Sequence, residues 1–170
     1  MVRRIENHIG CNVNFTQNIP HNSKKSRNFA VAMRTNESFI VDLRDVVRAP
    51  QSYDFGLDNN FFAQLEQEVI QDGDVAVHVD VKCSAGDAFV FQIKGQGTAT
   101  VACDRCLAPV RIPVEFDEEM VLAYGEDLPF SQTQYDLAWN LYEFTLLALP
   151  TQRVHDEGEC DEEMVRYISK

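Results

Sequence analysis

The sequence predicts an α+β fold: a strongly twisted antiparallel sheet of about five or six strands, able to curl toward a barrel, with two covering helices and a Cys-x2-Cys knuckle. Three observations lead there. Val75, Val77, Val79, Val81 and Cys83 share one parity, His78, Asp80 and Lys82 the other, and a turn containing Gly86 leads into Phe89, Phe91 and Ile93. That pattern is a hairpin. A further alternating run, Val110, Ile112, Val114 and Phe116, follows Cys103-Asp104-Arg105-Cys106, which places the cysteine pair at a tip joining two strands. Near the C-terminus Leu137, Leu141, Phe144 and Ala148 recur at helical spacing.

Taken in chain order, Phe39, Val41 and Leu43 alternate with Ile40, Asp42 and Arg44, which reads as a half-buried strand over 38–47, stopped by Pro50. A turn region over 53–60 precedes a short amphipathic helix built on Phe61, Phe62, Leu65 and Val69, with Gly73 as its stop. After the hairpin, Gly95 and Gly97 are expected to break the strand or put a bulge in it. The acidic run Glu115 to Glu119 and the run Met120 to Tyr124 lead to a polar loop containing Gly125 and Pro129. Asp136 is a suitable N-cap for the last helix, with Trp139, Leu146 and Leu147 beside its apolar face and Pro150 as its end.

Composition narrows the class of protein. A chain of 170 residues with 45% hydrophobic and 10% aromatic content has room for a core without a staple. It contains no run of roughly 18 apolar residues and no secretory signal core near its start, so a cytoplasmic protein without a membrane partner is expected. Five cysteines, Cys11, Cys83, Cys103, Cys106 and Cys160, form an odd set. In a reducing compartment they would stay free, bind metal or do redox chemistry rather than build a disulfide scaffold.

The net charge of -12 is unevenly spread: residues 1–35 carry six basic side chains against Glu6, a net of +5, so residues 36–170 carry -17. Residues 1–35, rich in Asn and Ser, read as a flexible basic extension. A dispensable tail, a start misplaced ahead of Met33, phosphate contacts and an organelle transit peptide all fit that composition. The acidic remainder should repel a phosphate backbone, because nucleic-acid affinity rests on cations that displace counterions.

The chemistry-bearing residues are Cys103, Cys106, His155 and Cys160. A Cys-x2-Cys turn plus a His-x4-Cys segment has the ligand types and local spacings of a tetrahedral zinc site. Two alternatives stand beside it: reduced thiols in a packed corner, and a redox pair. Asp104, Asp156, Glu157, Glu159 and Asp161 should raise the thiol pKa values and welcome a dication, which favours metal over nucleophile. Cys83 shares the parity of the valines and reads as a core residue, His78 as part of a solvated strand face, and Trp139 and Tyr142 as core. The acidic runs 115–119 and 161–163 read as solvated faces that could dock a basic partner. No phosphate-binding glycine loop, nucleophile elbow or His-Glu-x-x-His motif is present, so an enzyme is not expected.

Cys103-Asp-Arg-Cys106-Leu, the helix start Asp136-Leu137, Glu143-Phe-Thr-Leu-Leu-Ala-Leu-Pro150, Arg153-Val-His155 and Cys160 follow one another in an order that resembles the YceD proteins of bacteria. These are described as large ribosomal RNA subunit accumulation proteins, and the run with His155, Gly158 and Cys160 is most similar to the Bacteroidetes-type version. The likeness is specific from Gly97 to Glu163, extends back toward Ser38, and sets residues 36–170 apart as a YceD-like domain. Many members close with a second cysteine pair, where this chain has His155 and Cys160. The resemblance implies a cytoplasmic, non-catalytic factor supporting synthesis, processing or stability of large-subunit ribosomal RNA. Combined with the acidic body, it points to docking of a basic ribosomal protein or ribosome-maturation factor. Direct RNA binding by a zinc knuckle and the basic extension is the first alternative, and a thiol redox protein on Cys103 and Cys106 the second.

Overall fold

The structure, a computed structural model, describes residues 39–84 and 87–168, so the expected extension over 1–35 and its Met33 lie outside the described residues. Strand β1 (Ile40–Asp42) runs into helix α1 (Leu43–Arg48). Then come β2 (Gln51–Leu57), α2 (Asn59–Gln64) and three long strands, β3 (Ile70–Ser84), β4 (Ala88–Ala102) and β5 (Pro109–Ala123). The short β6 (Gln134–Asp136) precedes α3 (Ala138–Leu147), and α4 (Glu162–Ile168) follows an extended arm. Strands β2-β3-β4-β5 form one antiparallel sheet in sequence order, and β1 pairs β6 in a second. The mixed, mainly antiparallel class is as expected. The sheet stays open and does not close into a barrel, and four helices accompany it among the described residues.

Alternation explains the sheet's one-sidedness. Val75 to Val81, Phe89 to Ile93 and Val110 to Phe116 bury the apolar parity of β3, β4 and β5 against α1, α2 and α3, and the other parity meets water. His78 lies on that solvated face, where its Nδ1 is 2.7 Å from Asp54. Tyr142 is core as expected, whereas Trp139 is 52% exposed. Cys83 is half-buried at the end of β3, where it packs against the core cluster as its parity predicts.

Several elements depart from the expected pattern for local reasons. The strand expected over 38–47 yields to α1 because the Asp42 carboxylate accepts from the Arg44 amide and caps a helix there. Residues expected as a turn form β2, paired with β3 from Gln51↔Val81 to Leu57↔Val75. Helix α2 stops at Gln64, since the Gln67 amide group accepts from the Val69 and Ile70 amides and donates to the Phe62 and Ile70 carbonyls. Gly73, expected as a helix stop, lies inside β3, and Gly95 and Gly97 lie in unbroken register inside β4. Their smallness serves close approach: a Cβ on Gly95 would lie 2.1 Å from the Phe116 ring, and one on Gly97 2.1 Å from the Asp74 carbonyl oxygen. The ladder irregularity falls between Ile70 and Asp72 instead.

Candidate metal centre

The knuckle is built by the β4–β5 connection. The Cys103 amide donates to the Ala108 carbonyl at 2.9 Å and the Leu107 amide to the Cys103 carbonyl at 3.0 Å, closing a tight loop with Leu107 at φ 62°. A left-handed φ at a leucine is uncommon and marks a turn fixed by its surroundings. That turn aims Cys103 and Cys106, both buried, to one side, and the Arg105 amide points at the Cys103 sulfur at 3.4 Å.

The second half arrives on the arm beyond α3. Backbone and side chain clasp it to the knuckle: the Asp104 amide donates to the Arg153 carbonyl at 2.7 Å, and the Arg153 amide donates to Asp104 Oδ2 at 2.7 Å. The Arg153 guanidinium adds a 3.5 Å ion pair with Asp104 Oδ1. Two residues on, His155 Nε2 is 3.0 Å from the Pro109 carbonyl, which can only accept, so Nε2 carries the proton and Nδ1 keeps its lone pair. The Asp156 carbonyl then accepts from the Glu159 amide, and Gly158 at φ 90° turns the chain so that Cys160 comes back to the same point.

The ligand atoms of Cys103, Cys106, His155 and Cys160 all lie within 4.8 Å of one another. Cys103 Sγ is 3.9 Å from Cys160 Sγ, and His155 Nδ1 is 3.4 Å from Cys106 Sγ and 3.9 Å from Cys160 Sγ. A tetrahedral ion with bonds of about 2.3 Å to sulfur and about 2.0 Å to nitrogen requires edges of about 3.8 Å between sulfurs and about 3.6 Å from sulfur to nitrogen. The three edges match. All four residues singled out in the sequence are brought together, and they could hold one metal ion. The Asp104–Arg153 clasp and the Pro109 carbonyl are positioning partners that the sequence did not announce beyond the opposite charges of Asp104 and Arg153.

The thiols differ in acidity. Burial pushes Cys103 up, but hydrogen bonds from the backbone at Cys106, Arg105 and His155 outweigh it and bring the thiol down to about 6. Burial pushes the Cys160 thiol up to about 11, with Cys103 and Cys106 adding to the rise. His155 is raised, chiefly by its interaction with Cys103 and then by the Pro109 carbonyl. The general rise expected from nearby acids fails at Cys103 because amide dipoles touch its sulfur, whereas the Asp104 carboxylate turns to Arg153.

An open antiparallel sheet whose β4–β5 knuckle meets a C-terminal arm, with three cysteines and a histidine gathered where they could hold a metal, is the class of structure seen here. Residues 91–168 match the family model described as Large ribosomal RNA subunit accumulation protein YceD. Over that stretch, somewhat less than half of its length, the chain is similar to the YceD family. No curated protein and no solved structure matches it.

Proposed function

We propose that this chain is a non-catalytic cytoplasmic factor that supports accumulation and processing of large-subunit ribosomal RNA and ribosome assembly by docking a basic ribosomal or ribosome-maturation protein. Zinc, held by Cys103, Cys106, His155 and Cys160, serves it as a structural staple. The observation that carries this reading is the convergence of four ligand atoms from two distant segments within the stretch matched by the family model. A set of three thiolates and one imidazole suits zinc, and four protein ligands leave no open position for substrate. The family description supplies the ribosomal RNA role, and the net -17 of residues 36–170 favours a cationic protein over a phosphate backbone as direct partner. No helix among the described residues is long and apolar enough to cross a membrane.

Elemental analysis of the purified full chain should give one zinc per molecule. A pull-down at moderate salt should enrich basic ribosomal or maturation proteins, and depletion should lower large-subunit particles in a sedimentation profile. Enrichment of naked RNA without such proteins would instead establish direct RNA binding. Thiol redox work on Cys103 and Cys106 is the second reading, since the knuckle turns both sulfurs to one side. Stoichiometric zinc whose removal loosens the arm would exclude it.

A further inference from the structure

Helix α3 is apolar nearly all round. One face buries Leu141, Tyr142 and Thr145 against the sheet, and a covering helix should then turn polar side chains outward. Here the outward stripe at i, i+4 and i+8 reads Trp139, Glu143 and Leu147, with Trp139 52% and Leu147 77% exposed. The Trp139 indole N–H already donates to Glu143 Oε1 at 2.8 Å, which fixes the ring while leaving it solvated. Large aromatic residues held at a surface are the usual anchors of protein interfaces.

Charge says what would cover it. From 112 to 152 the chain has 41 residues without a single Lys, Arg or His, and its eight acids all face water. Asp136 and Glu143 flank the Trp139 ring in sequence, and both are exposed. A tryptophan face set in a field of one sign attracts a guanidinium through both its quadrupole and its surroundings. We propose that the Trp139–Glu143–Leu147 stripe of α3 is the docking surface for an arginine-rich protein segment, with one guanidinium over the Trp139 ring and an apolar side chain against Leu147. This rests on the reading of the chain as a docking factor for a basic protein and names the surface that does it.

Trp139 is the chain's sole tryptophan, so its emission reports the site directly. The zinc-loaded full chain is titrated with an arginine nonapeptide, a lysine nonapeptide and oligouridylate. Saturable quenching with the arginine peptide, weaker response to lysine, and loss of affinity with salt are expected. By anisotropy of a labelled arginine peptide, Trp139→Ala should weaken binding about tenfold and Leu147→Ser several-fold, the latter with thermal unfolding unchanged because Leu147 is 77% exposed. Replacing Glu66 and Glu68, exposed acids outside the 112–152 run, by Gln should change binding less than twofold. Equal binding by Trp139→Ala, or peptide saturation without an emission change, would overturn the proposal. So would stronger quenching by oligouridylate, or burial of Trp139 that tracks formation of a dimer. A pull-down without ribosomal proteins alongside intact peptide binding would sink the ribosomal docking role alone. Peptide failure with an intact pull-down would sink this surface alone.

Discussion

Stripping the metal should release the arm beyond Arg153 and leave the sheet standing. Helix α4 has seven residues, and ordering their backbone costs about 1–2 kcal/mol each, or about 7–14 kcal/mol in total. A helix that short is marginal in water. Its return from packing is small: Val154, Cys160 and Met164 are only partly buried, which at about 1 kcal/mol apiece gives about 3 kcal/mol. A structural zinc contributes about 10 kcal/mol or more, enough to reverse that balance. By contrast, the segment up to Arg153 keeps its clasp on Asp104 without any ion. Hydrogen exchange read by mass spectrometry on the full chain, zinc-loaded and after chelation, should therefore show protection lost by at least about 100-fold over 156–168. Protection within β3, β4 and β5 should be preserved. Equal protection of 156–168 in both forms would refute the reasoning, since the arm would then be held by packing alone.

Asp104→Ala removes the acceptor for the Arg153 amide and half of an exposed ion pair, so it should cost about 1–2 kcal/mol and weaken zinc about 10–100-fold in a chelator competition. Gly97→Ala sets a methyl 2.1 Å from the Asp74 carbonyl, a backbone atom, and should cost about 2–3 kcal/mol in urea unfolding. Gly56→Ala in β2 meets nothing within 4 Å and should be near neutral in the same assay. His78 is raised above 6.5, first by its hydrogen bond to Asp54 and then by the charge of Asp80 against some loss from burial, and Asp54→Asn should bring its NMR titration back down. Because the folded value is the higher one, the pair's small stabilisation is present in full below the unfolded pKa and fades as pH rises through the folded pKa.

What was legible in the sequence follows from how local its cause is. The parity of Val75 to Val81 and of Val110 to Phe116 is dictated by the pleat itself, so the strands, their burial and the knuckle between β4 and β5 could be read directly. The four ligands were legible because Cys-x2-Cys sets its own turn geometry and because the order of motifs resembled a family. Elements decided by one capping or bridging side chain were not. Asp42 converts an alternating run into α1, and the Gln67 amide ends α2 before the periodic residues Leu65 and Val69. Gly95 and Gly97 misled because glycine in a strand signals either a bulge or a close neighbour, and only the position of Phe116 and of the Asp74 carbonyl distinguishes the two. Trp139 was expected in the core on helical periodicity, yet α3 offers more apolar faces than the sheet can cover.

The metal centre and the α3 stripe are linked through the chain's path. Cys106 and His155 bracket the edge strand β5, the β6 pairing with β1, and α3, so an ion joining them closes a loop that contains the eight acids of 112–152. Closing such a loop costs entropy that grows only slowly with its length, so one strong coordination centre can hold a long segment in register. Leu147 ends α3 eight residues before His155, and the Asp104–Arg153 clasp sits between them, which places the ligand arm and the docking helix on one short tether. Loss of zinc should therefore weaken arginine-peptide binding at Trp139 less than it loosens residues 156–168, because the clasp still restrains the C-terminal end of α3. Zinc removal in the Asp104→Ala variant should weaken both together. If that variant, stripped of zinc, bound the peptide as tightly as the intact protein, the docking stripe would be set by the sheet and β1–β6 alone, and the knuckle would have no part in presenting it.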